Sequence, residues 1–196
     1  AGRMEYSDNE VIPWRFADEL AISKPHSAAA NSEDRFAYQN QQTSVLEIKP
    51  SFNTLEVAEP KLGFEIAYAF EQISFGEIVD FLVIEVKCDD QAWRVLDLNE
   101  DGSVVTSRTS VEEFDGFYSE EDPQTALEEA DFQYVEVTLP QCEELRVAFR
   151  FESDRSSNRQ GVYLDNVQVF NPNDPSPRIR QVQSLDEDAF YADFMG

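Results

Sequence analysis

The stretch that decides the fold is Gly161-Val162-Tyr163-Leu164-Asp165-Asn166-Val167-Gln168-Val169-Phe170. Its β-branched and aromatic residues suit a pleated, buried surface. The run Asn171-Pro172-Asn173-Asp174-Pro175-Ser176-Pro177 then breaks the pattern and marks a domain end. Taken as an uninterrupted strand, the stretch places Asp165 on one face with Tyr163, Val167 and Val169. A carboxylate on a buried face is costly unless it is partnered. Asp165 is therefore expected to accept strong hydrogen bonds, to pair with an arginine such as Arg146 or Arg150, or to bind a cation.

The same period of two recurs upstream. In 62–70, Leu62, Phe64, Ile66, Tyr68 and Phe70 alternate with Gly63, Glu65, Ala67 and Ala69, which predicts a strand with one buried face. Residues 80–88 are apolar on both faces at first, as in a central strand. The turn Asp89-Asp90-Gln91 returns the chain through Trp93 to Leu96 as a hairpin partner. Further strands are expected at 132–139 and 145–152, where Leu145, Val147, Phe149 and Phe151 alternate with polar or small residues. Residues 1–44 read as loops with one or two short strands. The prediction is an all-β, two-sheet antiparallel sandwich of the jelly-roll kind, forming one domain over 1–170. Residues 171–196 form a C-terminal extension, with an edge strand expected at 178–182. Between the two strand groups lies a long acidic insertion, 99–131, with no Lys or Arg after Arg108. Its Asp122-Pro123 pair predicts a short helix, with Asp as N-cap and Pro at the first helical position.

Composition supports a β core. Of 196 residues 41% are hydrophobic, and 15 Phe and 7 Tyr favour β-structure over a helical bundle. The formal net charge of −25, from 40 acids against 15 bases, repels nucleic-acid phosphates and anionic lipid. It suits salty surroundings, solubility or oxygen-seeking cations such as calcium. No stretch approaches the roughly 18 apolar residues that cross a membrane as a helix. The chain begins at Ala1 without a signal peptide, as expected of a processed or excised fragment. Cys88 and Cys142 are too far apart in sequence for a Cys-x-x-Cys metal knuckle, leaving one disulfide or two buried thiols.

Few residues invite catalysis. His26 is the single histidine, in the polar run Lys24-Pro25-His26-Ser27. That excludes multi-histidine metal sites and leaves one candidate base for a Ser/His/Asp arrangement. There is no glycine-rich phosphate loop and no Gly-x-Ser-x-Gly elbow. Carboxylate pairs alone say little in a chain with this many acids, and no catalytic residue is assigned. Asp80, at the start of its strand, is a second candidate for either a hydrogen-bonded structural role or a metal ligand. Trp93 is expected in the core. Trp14, after Pro13, is the aromatic expected to contact a ligand.

These residues bring out a resemblance. Phe149-Arg150-Phe151-Glu152-Ser153-Asp154 followed by Gly161-Val162-Tyr163-Leu164-Asp165-Asn166-Val167 resembles the late strands of MAM-like and choice-of-anchor J (cleaved adhesin) jelly-roll domains. Residues 80–93 are similar to that family's Asp-strand, acidic turn and Trp hairpin. Asn166 replaces the usual second Asp, and Gln91 the usual Gly of the turn. The resemblance implies a sandwich with a structural calcium held by an early acid and the first Asp of the last strand, here Glu5 and Asp165. It also implies a non-catalytic binding, adhesion or accessory module of a secreted or cell-surface protein, with a glycan or an extracellular protein as ligand. The alternative is a carbohydrate-active hydrolase or lyase on the same scaffold.

Overall fold

In a computed structural model of the chain, the described residues are 10–22, 27–31, 37–73, 76–98, 104–105, 114–123 and 125–174. They form eleven strands in two sheets. The strands are β1 (Glu10–Val11), β2 (Arg15–Ala17), β3 (Ser27–Ala29), β4 (Gln42–Phe52), β5 (Lys61–Ala69), β6 (Phe81–Cys88), β7 (Arg94–Leu96), β8 (Val104–Val105), β9 (Gln133–Thr138), β10 (Leu145–Glu152) and β11 (Gly161–Phe170). One sheet has the order β1-β4-β10-β6-β7-β8, the other β2-β3-β11-β5-β9. Every pairing is antiparallel except that of β1 with β4.

The core lies between the sheets. The first sheet contributes Leu46, Ile48, Leu82, Ile84, Val86, Val147, Phe149 and Phe151, the second Leu62, Phe64, Ile66, Val162, Leu164, Val167 and Val169. Aromatic rings interlock across it: Phe64 meets Phe149 edge-on at 5.1 Å and Phe70 stacks on Phe151 at 5.4 Å, geometries that add to plain area burial.

The decisive strand departs from simple alternation. In β11, Asp165 faces Glu65 of β5, but Gln168 faces Gly63, so two residues on β11, Asn166 and Val167, stand opposite one on β5, Phe64. This β-bulge is centred on Asn166, whose φ is 49°. The extra residue switches the parity, so Val162 and Leu164 before it and Val167 and Val169 after it all reach the inter-sheet core. Asp165 therefore shares the outer face with Tyr163 and not with Val167 or Val169, which corrects the face assignment made from strict alternation.

β4 escaped the pattern because Lys49-Pro50-Ser51 interrupts it. Against β10, Ile48 aligns with Val147 and Phe52 with Leu145, so the ladder is irregular where Pro50 has no N–H to give. β6 lies between β10 and β7, and its first six residues are buried, as expected for a central strand.

The outer face of the first sheet buries an ion cluster. Arg150 donates to Glu85 at 3.0 Å and to Glu152 at 2.8 Å, and Thr43 donates to the second oxygen of Glu152 at 2.6 Å. All three charged residues are buried. Burial alone would lower the Arg150 pKa, but the charges of Glu85 and Glu152 outweigh it and hold the guanidinium protonated.

The described part of the acidic insertion is built into the sandwich. Phe117 exchanges backbone hydrogen bonds with Leu82 at 2.8 and 3.0 Å, and Ile73 donates to the Ser119 carbonyl at 3.2 Å. The strap 114–119 thus runs from the start of β6 to the chain just beyond β5. A Cβ at Gly116 would stand 2.5 Å from the Leu82 carbonyl oxygen, so the strap's close approach requires glycine. The α-helix expected from Asp122 is not found: among the described residues there is one turn of 3-10 helix at Glu129–Asp131. Asp122 is engaged instead by Arg159 at 2.6 Å, and the Leu127 N–H donates to Gln160 at 2.8 Å. These tertiary partners take up groups that a helix would have used.

Cys88 and Cys142 are joined as a disulfide. Closing a loop across a separation of 54 residues contributes about 4 kcal/mol in the chain-entropy account. The tail 175–196, with its expected edge strand, lies outside the described residues.

The bulge makes a prediction. Asn166→Val forces a β-branched residue into left-handed backbone and should cost about 1–2 kcal/mol in urea unfolding. Asn166→Gly should cost less. Equal midpoints for the two variants would show that the left-handed residue does not hold the bulge.

Candidate metal centre and adjoining cleft

Three acids that flank strands meet at one end of the sandwich. Glu71 follows β5, Asp80 precedes β6 and Asp154 follows β10, and their ligand oxygens lie within 4.8 Å of one another. They converge because β6 and β10 pair antiparallel, with Phe81 opposite Glu152. The start of one strand thereby lies beside the end of the other.

Asp80 is the buried member, at 1% exposure. Its Oδ2 accepts the Tyr38 hydroxyl and its Oδ1 accepts the Asp154 backbone N–H at 2.9 Å. Tyr38 in turn accepts the Glu71 backbone N–H at 2.9 Å. The Ser156 hydroxyl lies 2.7 Å from a Glu71 oxygen and 2.8 Å from an Asp154 oxygen, with one proton to share between them. No Lys or Arg pairs with any of the three carboxylates among the described residues. Burial pushes the Asp80 carboxyl up to about 6, the hydrogen bonds from Tyr38 and the Asp154 amide oppose the rise, and the charges of Asp154 and Glu71 add to it. Burial, followed by the Asp80 charge, holds the Tyr38 phenol well above its ordinary range.

The chemistry of this donor set fits a hard cation. Carboxylate oxygens are calcium ligands, and each Asp80 oxygen keeps a lone pair beyond the hydrogen bond it accepts. A cation here would offset three like charges at the point where burial makes them costly.

The residues singled out from sequence fall in different places. Asp80 is in this cluster. Asp165 is not: it lies on the outer face of β11, opposite Glu65, about 13 Å of extended chain from the level of Ala69. Its Oδ2 accepts the Ile22 N–H at 2.8 Å and its Oδ1 the Asn166 N–H at 2.7 Å. Arg146 and Arg150, the arginines considered for it, belong to the other sheet, where Arg146 pairs with Glu47 and Arg150 with Glu85 and Glu152. Asp80 and Asp165 are therefore not ligands of one ion. Glu5 and His26 lie outside the described residues.

Trp14, expected as an exposed ligand contact, is 1% exposed in the inter-sheet core. Its ring packs where a ligand cannot stack. Trp93, expected in the core, is half-buried with the Arg146 guanidinium 5.3 Å from its ring centre. Glu71 and Asp154 were missed as site residues. The available signal was positional: each is an acid at a strand end, and Asp154 closes the quoted Phe149–Asp154 motif.

A cleft of about 520 Å³ opens beside the strap. It is lined by Tyr68, Gly116, Tyr118, Ser119, Glu120, Glu121, Leu127, Asp131 and Gln133. Tyr68 forms its inner wall, stacked on Phe70 and edge-on to Phe117. Burial raises the Tyr68 phenol pKa, and Tyr118 and Glu120 add to the rise. Asp131 accepts the Glu128 N–H at 2.7 Å, and Ser119 accepts the Phe70 N–H at 3.0 Å.

Asp80 makes a pH prediction. Its folded pKa of about 6 stands above the ordinary 3.8, so the folded state binds this proton more tightly than the unfolded state does. The contribution to stability is greatest below pH 4 and is lost as pH rises through 6. It amounts to about 3 kcal/mol. In EDTA, wild-type stability should fall relative to Asp80→Asn between about pH 4 and 6.5. Parallel urea-stability curves would refute a buried, proton-binding Asp80.

No helix among the described residues is long and apolar enough to cross a membrane. In comparisons with known proteins, no family model matches the chain and no curated protein matches it.

Proposed function

We propose that this chain is a non-catalytic binding module of an exported protein, wound as a jelly roll and stabilised by calcium. The observation that carries the binding reading is the cleft, where exposed polar side chains on connecting segments are held by rigid strands. Such placement is typical of recognition surfaces. Consecutive strands that change sheet, β4 to β5 to β6 and again β9 to β10 to β11, support jelly-roll winding and the resemblance to MAM-like and choice-of-anchor J domains. The disulfide supports an oxidising, secreted or cell-surface location. The ligand is a glycan or an extracellular protein.

Calcium is proposed at Glu71, Asp80 and Asp154 in place of the Glu5 and Asp165 pair implied by the resemblance. Its role there is structural, tying the ends of β5, β6 and β10. At a calcium concentration 100-fold above Kd, the folded state gains about 2.7 kcal/mol, and the melting midpoint should rise by roughly 5–10 °C over the EDTA value. Asp80→Asn should abolish that rise. An unchanged wild-type midpoint would remove calcium from the proposal.

The presence of Glu120, Glu121 and Asp131 in one cleft favours a second reading, a carbohydrate-active hydrolase using two of these carboxylates. Polysaccharide turnover that is lost in Glu120→Gln, Glu121→Gln or Asp131→Asn would establish it. Binding without turnover would leave the module reading in place.

A further inference from the structure

The lining of the cleft is one-sided in its chemistry. It offers the carboxylates of Glu120, Glu121 and Asp131, the rings of Tyr68 and Tyr118, and the hydroxyl of Ser119. Glu120 and Glu121 have no hydrogen-bond or ion-pair partner among the described residues. Among the described residues the only amide side chain in the lining is Gln133, and no basic residue lines it. All of the lining except Tyr68 comes from the segment 109–145, which carries 12 acids and no Lys, Arg or His. A neutral sugar is recognised through matched donors and acceptors. This surface is rich in acceptors and poor in N–H donors. The complementary ligand is all donor and positively charged, an ammonium or guanidinium group. Tyrosine faces favour the same ligand by cation–π attraction.

The neighbouring strand distinguishes the carriers of such a group. β9 is the last strand of its sheet, with no pairing on its outer side among the described residues. Gln133 is both the first residue of β9 and part of the cleft wall. An extended polypeptide can pair its backbone with a free edge, and a glycan cannot. The six residues of β9 offer about 20 Å of edge. Tyr134 and Glu136 on it are exposed. Resting on the binding-module reading above, we propose that the cleft is a docking site for a basic polypeptide segment. The segment lies along β9 and inserts a Lys or Arg side chain between Tyr68, Tyr118 and the carboxylates of Glu120, Glu121 and Asp131. Electrostatic attraction from the acidic surface speeds the encounter, and the cleft supplies the position.

Calorimetric titration of the full chain with a nine-residue peptide of alternating Lys and Thr tests this, beside its Gln/Thr counterpart and a glucosamine oligomer. The Lys peptide should bind at about 0.1 M salt and the other two should not. The triple variant Glu120→Gln, Glu121→Gln, Asp131→Asn should weaken binding by about tenfold or more. A control triple at exposed residues elsewhere, Glu56→Gln, Glu59→Gln, Asp90→Asn, removes the same charge and should weaken it by less than roughly threefold. Glu121→Lys, one change at an exposed side chain, answers the question where the triple variant is unstable. Equal weakening in both triples would reduce the effect to general polyanion attraction and overturn the site. Binding of the glucosamine oligomer with the peptide silent would overturn the polypeptide partner. A chain that ignores the peptide yet binds a neutral polysaccharide or another protein overturns this inference and leaves the binding-module reading intact.

Discussion

The sandwich depends on one left-handed residue. β11 is the central strand of its sheet, between β3 and β5, and it supplies Val162, Leu164, Val167 and Val169 to the core. An even alternation cannot deliver 162, 164, 167 and 169 to one side, because the side-chain period of a strand is two. The bulge at Asn166 absorbs the odd residue. Asn tolerates the left-handed region better than other side chains with a Cβ, and here its amide also donates to Glu65 across the strand pair. The bulge leaves Asp165 on the outer face, where its carboxylate caps backbone N–H groups of Ile22 and Asn166. One backbone irregularity thus completes the hydrophobic layer and fastens the N-terminal segment to the last strand.

Much of the fold was legible because the core strands alternate cleanly. β5, β6, β10 and β11 follow from residue pattern alone, and the hairpin through Trp93 follows from its acidic turn. What was not legible is instructive. β4 hides behind Pro50, since propensity disfavours proline in a strand while an irregular ladder accommodates it. The face of Asp165 was misassigned because one unmatched residue reverses every parity beyond it. The helix at Asp122 failed because a local capping signal was outcompeted by Arg159 and Gln160. Trp14 was read as open because it follows Pro13 in an N-terminal region without strand periodicity, while its neighbours in space are the two sheets. In the carboxylate cluster Asp80 was legible and Glu71 and Asp154 were not. The approach of Asp154 to Asp80 is a property of strand pairing across 74 residues, which no local pattern encodes.

The chain handles its surplus of acids in three physical ways. In the outer layer of the first sheet, Glu85 and Glu152 are enclosed and share the single positive charge of Arg150. Removing the arginine from such a cluster would strand two carboxylates in a poor solvent. At the end of the sandwich, Asp80 is accommodated by a hydroxyl, an amide and a raised proton affinity. Along the strap, Glu120 and Glu121 remain in water. These environments range from arginine-paired to water-exposed, and charge is most available at the exposed end.

β6 and β10 are secured at both ends by unlike means. β6 begins beside the carboxylate cluster at Asp80 and ends at Cys88, and β10 follows Cys142 and runs out to Asp154. The two strands form a closed frame, covalent at one end and held by the hydrogen bonds of Asp80 at the other. Fraying normally starts at strand termini, and this pair has none that are loose. Amide protons in its middle are expected to be among the slowest to exchange. Under mechanical load the frame would act as a unit, and yielding would begin in the short edge strands β1, β2 and β8. A reductant releases one end of the frame, and a rise in pH that ionises Asp80 loosens the other, so the frame's rigidity responds to both the redox state and the acidity of its surroundings.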